Sequence, residues 1–321
     1  MTIKLKGGSL SETFLIEEDG KKIVRKSVSL VRNREYGFQR WYSQMKRLQR
    51  YSVIVPGLFP NVLKYGVGRD FAYFDMNFIE DSVNAQEYLA AERDADKIGV
   101  FFEELKVSMR LLHDIKLQSC SEAMELYVRE EVSQKINDSI SSEKFKEFLQ
   151  YKTIVFNGEE IISFIYRMDD FKQMLAKHYV DVEETYSHGN LTLENLLFVP
   201  SQNKIVFIDP YEENIIDSRL ADYSQLLQSS NSKYEILNKL TPFVSKNRVE
   251  MFIDGNFGVD YFNDLLEEYL VETLSQSQYI VVKLLEISQF IRMLPFKKEI
   301  DEDKMILFYS LASKLFARFY G

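Results

Sequence analysis

The segment that most restricts how this chain can fold is residues 187–210, SHGNLTLENLLFVPSQNKIVFIDP. Two apolar runs, NLLFV and KIVFI, stand on either side of the turn-forming PSQN, which is the pattern of a short antiparallel hairpin. Polar residues gather at both of its open ends. His188, Asn190 and Asn195 have the spacing H-x-N-x-x-x-x-N, and Asp209 follows the second run, fourteen residues beyond Asn195. Taken alone, these residues admit a plain reading as turn formers at strand ends, with Asp209 capping a loop.

The surrounding sequence changes character near Asp81. Upstream, TFLIEE and KKIVRKSVSL flank Asp19-Gly20, and glycine tolerates the positive φ of a tight turn, so these read as two antiparallel strands. The stretch from about Arg32 to Leu48 suits one helix, closed by VPGLFPN because each proline disfavours helix in the residue before it. NVLKYGVG and FAYFDMNFI read as two further strands. Downstream, Ile98, Phe102, Leu105, Met109 and Leu112 recur at steps of four, three, four and three, which places them on one buried helix face. Residues 119–152 read as more helix with a solvated side, and everything from about Ser218 onward as helix again. YIVVKLLEISQFIRML is apolar enough for a buried helix ending at Pro295. No repeat or low-complexity linker interrupts the chain. The expectation is an α+β protein of two lobes, a small β-rich lobe over 1–80 and a larger helical lobe over 81–321.

Composition narrows the function classes. A length of 321 residues, 45% of them hydrophobic and 28% charged, suits a globular chain with a sizeable core. A net charge of −9 disfavours nucleic acid and anionic membrane as partners. The single cysteine, Cys120, has no partner for an internal disulfide, and three histidines without a cysteine cluster argue against structural zinc. MTIKLKGGSLSETF carries no signal-like apolar run, and no stretch has the roughly 20 apolar residues of a membrane span. The expectation is a soluble, cytoplasmic protein, in which the triplets at Asn137 and Asn190 are chance matches to a glycosylation pattern.

In phosphotransfer chemistry, a loop carboxylate faces the acceptor hydroxyl, while a later Asn and Asp give oxygen ligands to Mg²⁺ on the nucleotide phosphates. HGNLTLENLL resembles the H-G-D-x-x-x-x-N loop of the aminoglycoside phosphotransferase and choline kinase family, a branch of the protein-kinase-like fold, and IDP stands where that family's metal-binding Asp lies. The resemblance is close only over residues 188–222. It implies a two-lobed kinase-like fold, ATP and Mg²⁺ as cofactors, and a hydroxyl on a small molecule as acceptor. It further implies Asn195 and Asp209 as metal ligands, and Asp222 as a brace for the loop that carries His188. In the N-terminal lobe, KGGSLSETFLI would cover the phosphates, with Gly7 and Gly8 freeing the backbone and Ser9 and Ser11 donating hydrogen bonds. Strand alternation places Val24, Lys26 and Val28 on one face and Arg25 and Ser27 on the other, so Lys26 is chosen over Arg25 as the phosphate lysine. The alternative is an exposed strand charge, since KKIVRK is basic throughout. Glu35 is the acidic partner expected for Lys26, or else simply favourable at a helix N-terminus. Met76 would flank the base, with the backbone of Asn77 to Ile79 offering edge hydrogen bonds.

One residue departs from the family pattern. Asn190 stands at the position of the catalytic Asp, and an amide does not accept a proton and keep it. General-base assistance contributes about 10²- to 10⁴-fold in rate, so transfer should be slow while nucleotide binding survives. Three readings stay open: a small-molecule kinase, of the sugar or amino-alcohol class, with its Asp replaced; a natural pseudokinase that binds ATP as a regulatory or scaffolding module; and an enzyme that transfers another group or manages without this base. Glu212, Glu213 and Asp217 read as solvated loop charges, His113 as a packed or capping residue, and Arg292 either as a recognition group for an anion or as part of a core helix.

Overall fold

The computed structural model describes every residue except 1, 6–10, 19, 32–33, 118–121, 180–181, 212–213 and 321, and of residues 34–36 it describes the backbone. Its strands are β1 (Thr2–Leu5), β2 (Glu12–Glu18), β3 (Lys21–Ser29), β4 (Val62–Val67), β5 (Phe71–Asn77), β6 (Val83–Asn84), β7 (Thr153–Phe156), β8 (Glu159–Ile162), β9 (Leu196–Val199), β10 (Lys204–Phe207), β11 (Phe243–Ser245) and β12 (Arg248–Glu250). Its helices are α1 (Arg34–Ile54), α2 (Ala85–Ala91), α3 (Ala95–His113), α4 (Ala123–Tyr127), α5 (Gln134–Ser139), α6 (Glu143–Phe148), α7 (Met168–His178), α8 (Arg219–Ser230), α9 (Tyr234–Leu237), α10 (Phe257–Thr273), α11 (Gln276–Arg292), α12 (Leu294–Lys298) and α13 (Glu302–Tyr320). The chain forms two compact units. One comprises Met1–Glu92, Asp96–Asp114 and His188–Asn214, and the other comprises Arg93–Ala95, Ile115–Ser187 and Ile215–Gly321.

In the first unit, β1-β2-β3-β5-β4 form an antiparallel sheet. The helix α1 packs on β3 and β5, with Trp41, Met45, Leu48 and Tyr51 buried on the helix and Val28, Ala72 and Phe74 buried on the strands. Each such large apolar side chain contributes about 1.5–3 kcal/mol by leaving water. The helix runs past Leu48 to Ile54, where Pro56 stops it. The apolar stripe of α3, from Ile98 to Leu112, is buried as its periodicity requires. The β9–β10 hairpin forms as expected, and β6 adds a third strand beside β9.

In the second unit, α8 is buried along almost its whole length and α11 over most of Val281–Ile291, and α11 lies against α8 and α13. Its stop is as expected, with Pro295 in the first turn of α12. Two expectations need correction. Between Ala123 and Phe148 the expected helix comes in pieces, α4 and α5 joined by a π-helical stretch at Val128–Ser133 and then α6. The region after Ser218 is not all helix, because β11 and β12 join β7 and β8 in a four-stranded sheet in which β12 runs parallel to β7. The β7–β8 turn is Asn157-Gly158, both at positive φ of 50° and 84°, a hairpin signal that the helical surroundings obscured.

The molecule is thus α+β, with a β-rich N-terminal sheet and a largely helical remainder, the fold class expected from the sequence. Among the described residues, no helix is long and apolar enough to cross a membrane.

Candidate functional site

The loop before β9 is built around His188, which is fully buried between Phe59, stacked at 6.0 Å, and the edge of Phe207 at 5.8 Å. Its Nε2–H donates to the Ile208 carbonyl at 2.8 Å, and its Nδ1 accepts the Asn190 N–H at 3.2 Å. The two bonds together fix the orientation of the ring within the loop. Gly189 has a φ of +76°, and a Cβ there would come within 2.2 Å of the Asn214 side chain; both its backbone angle and its surroundings demand glycine. The Asn190 carbonyl accepts from the Thr192 N–H and from Asn195 Nδ2, at 2.9 and 2.8 Å. Asn84, which caps α2 through Gln86, also donates to the Glu194 carbonyl at 2.6 Å and so fixes the single turn that ends in Asn195.

On the far side of the hairpin, the Ile208 N–H donates to the Asn195 carbonyl at 2.9 Å, which ties the backbone beside Asp209 to that of Asn195. Asp209 has a left-handed backbone, φ +55°. Its carboxylate meets Lys26 Nζ at 2.7 Å, although 183 residues separate the two in sequence. Lys26 is 5% exposed, on the face of β3 that it shares with Val28 and opposite Phe74. Its neighbour Arg25 turns the other way and grips the fully buried Asp75 with two bonds of 2.7 and 2.9 Å. That hydrogen bonding raises the guanidinium pKa above its ordinary value against the opposing effect of burial. Pleating and register therefore send one basic residue to Asp209 and the other into a separate ion pair.

The donor set suits a hard cation. Asn195 Nδ2 is committed to a carbonyl, which leaves Oδ1 as the acceptor, and the second Asp209 carboxylate oxygen has no partner among the described residues. No group of three or more His, Cys, Asp or Glu gathers there among the described residues. Two oxygen donors are what a Mg²⁺ needs from protein when phosphates and water complete its shell. The Asn190 side chain, half-buried, makes no hydrogen bond among the described residues.

The remaining candidates are spread more widely. Met76 is buried on β5 opposite Val24; the Asn77 N–H is used by the Asn61 carbonyl at 3.3 Å, and the Ile79 carbonyl accepts from the Ser82 hydroxyl at 2.8 Å. The Ile79 N–H has no partner among the described residues. Gly7, Gly8 and Ser9 lie outside the described residues, as do Glu212 and Glu213 and the side chain of Glu35, which sits in the first turn of α1. Asp222, buried in the first turn of α8, belongs to the second unit. So does Arg292, a half-buried residue whose Nε binds Glu131 at 2.9 Å and whose Nη1 binds Gln289 at 3.0 Å. Asp217 accepts from the Ser187 hydroxyl at 2.7 Å, and His113 is buried at the end of α3. Sequence reading missed Gln44, Asn84 and Phe59, which support the loop. Only Asn84 carried a local signal, as an N-cap before Ala-Gln-Glu.

No family model and no curated protein matches the sequence. Comparison of folds gives a different result. A Haemophilus somnus 129PT protein designated a fructosamine-3-kinase superposes with a TM-score of 0.59 at 14% identity, covering 98% of this chain and 90% of its own. The GDP and kanamycin complex of APH(2″)-IIIa gives 0.61 at 13% identity, with 99% and 93% covered, and the aminoglycoside phosphotransferase APH(4)-Ia gives 0.57 at 9%, with 98% and 92% covered. The chain therefore has the kinase-like fold of the aminoglycoside phosphotransferases and their relatives.

Proposed function

We propose that this chain binds Mg²⁺–ATP and is built for phosphoryl transfer to a hydroxyl on a small metabolite, of the sugar or amino-alcohol class. The observation that carries the reading is the 2.7 Å pair between Lys26 and Asp209, formed beside a loop whose Asn195 amide oxygen has no partner among the described residues. Bound there, the nucleotide and its metal supply the phosphoryl group and the charge that stabilises its transfer. Lys26 presents its ammonium to phosphate oxygens, and Asn195 and Asp209 present oxygens to the cation. His188 holds both loops in register. Asn190 lies at the position that faces the acceptor hydroxyl. Its amide can orient that hydroxyl by a hydrogen bond, but it does not take the proton, which must leave to water. The neighbours that carry kanamycin or are named for fructosamine support acceptors rich in hydroxyls and amines. A cytoplasmic location fits the use of such a nucleotide.

A second reading, a pseudokinase that binds ATP and acts by shape, is favoured by Asn190 itself. One substitution separates the two. Asn190→Asp is nearly isosteric, and with an acceptor from a panel of sugars and amino alcohols it should raise ATP-dependent phosphorylation by about 10²- to 10⁴-fold. If the variant binds ATP as the unaltered chain does yet phosphorylates no member of the panel, the pseudokinase reading replaces the enzyme.

A further inference from the structure

Asp209 occupies a backbone region that residues with a Cβ enter only when their surroundings compel it, and the hydrogen bonds on either side of it show what compels it here. On one side, His188 Nε2 donates to the Ile208 carbonyl; on the other, the Tyr211 N–H donates to the His188 carbonyl at 2.9 Å. Both are internal to the paired loops. A third bond comes from elsewhere: Gln44 Nε2 donates to the Pro210 carbonyl at 3.2 Å, across 166 residues of sequence.

Gln44 sits in the middle of α1, between Trp41 and Met45, which are both buried. The Pro210 carbonyl can only accept, so the amide nitrogen must face it, and the bond is the one side-chain hydrogen bond Gln44 makes among the described residues. The helix is anchored to β3 and β5, the strands of Lys26 and Met76, so Gln44 links the segment of Asp209 to the same framework that sets Lys26.

We infer that Gln44 is a positioning residue for Asp209: by fixing the Pro210 carbonyl to α1, it holds the carboxylate where Lys26 and a cation can share it. The inference rests on the reading of Lys26, Asn195 and Asp209 as a Mg²⁺–nucleotide site. It assigns to a neutral side chain on α1 the coupling between that helix and the metal-binding segment.

Gln44→Met tests it, since methionine keeps the length and helix propensity of glutamine and removes only the donor. The full chain is titrated with ATP in EDTA and then with MgCl₂ at fixed ATP, following thermal stability. The Mg²⁺ concentration at half-maximal shift should rise about three- to tenfold, the worth of one hydrogen bond, with ATP affinity in EDTA unchanged. In nucleotide-free protein, hydrogen exchange at the Tyr211 N–H should speed up in the same variant. An unchanged Mg²⁺ midpoint in Gln44→Met, when the unaltered protein responds to Mg²⁺ and ATP, overturns the role of Gln44 and leaves the site standing. An equal loss of ATP affinity with and without Mg²⁺ also overturns it, because the residue would then support the fold in general. If the unaltered protein shows no Mg²⁺-dependent response, the site reading falls and takes this inference with it.

Discussion

Arg25 and Lys26 are adjacent on β3 and chemically alike, yet the pleat of one strand gives them separate partners. Arg25 satisfies the fully buried Asp75, and a flat guanidinium matches a carboxylate in two bonds, as the 2.7 and 2.9 Å contacts show. Lys26 holds a single, exchangeable bond to Asp209. An ammonium on a flexible stem is the better group to release one anion for another. Backbone constraint at Gly189 is as strict as any of these pairings. Gly189→Ala is expected to destabilise the protein by about 1–3 kcal/mol in urea unfolding, from the left-handed strain of an added Cβ. Gly158→Ala is the matched control, because its φ is also positive, +84°, while the space around it is open. A smaller loss at position 158 than at 189 isolates the crowding by Asn214. Strand alternation made it legible in sequence that Lys26 and Arg25 face opposite ways. The partner of Arg25 was not, because strand order decides which residue lies opposite.

At the scale of elements, Tyr309 shows how α13 is fixed. Its hydroxyl lies 2.7 Å from Ser163 Oγ and accepts the Ile165 N–H at 2.9 Å, while Phe145 and Phe148 meet its ring edge-on. Burial pushes its phenol pKa up to about 12, from an ordinary value near 10. A group whose folded pKa is raised gives stability that is complete below the unfolded value and is lost as pH climbs from about 10 to 12. Thermal stability should therefore hold to about pH 9 and fall through that window. Tyr309→Phe should cost about 1–3 kcal/mol at neutral pH, because the Ile165 N–H loses its acceptor, and should shallow the alkaline decline. Elements that carry strong local patterns, β2, β3, α3 and the β9–β10 hairpin, were legible in the sequence. The strands β11 and β12 are three residues each, too short for alternation to register, and the partner of β12 lies some ninety residues away on β7. Short strands held by distant pairing leave almost no local trace.

For the whole molecule, identities of 9–14% coexist with superposition over nearly the full chain. A fold can persist at that distance because the apolar pattern and the turn chemistry can be met by many sequences. The site was legible to the extent that its chemistry is local: HGNLTLEN and IDP can be read as letters, whereas Gln44 and Phe59 act through contacts that only the fold creates. With a net charge of −9, the protein disfavours a free polyphosphate, and on the proposed reading Mg²⁺ would offset that repulsion and be held by Asn195 and Asp209. Nucleotide binding should therefore depend on the metal through one carboxylate. The most direct measurement is calorimetric titration of ATP into the unaltered chain and into Asp209→Ala, each with MgCl₂ and with EDTA. The unaltered chain should bind ATP more tightly with Mg²⁺ than without, and Asp209→Ala should lose that difference. Binding by the unaltered chain that ignores Mg²⁺, or a Mg²⁺ effect that survives intact in Asp209→Ala, would contradict the account.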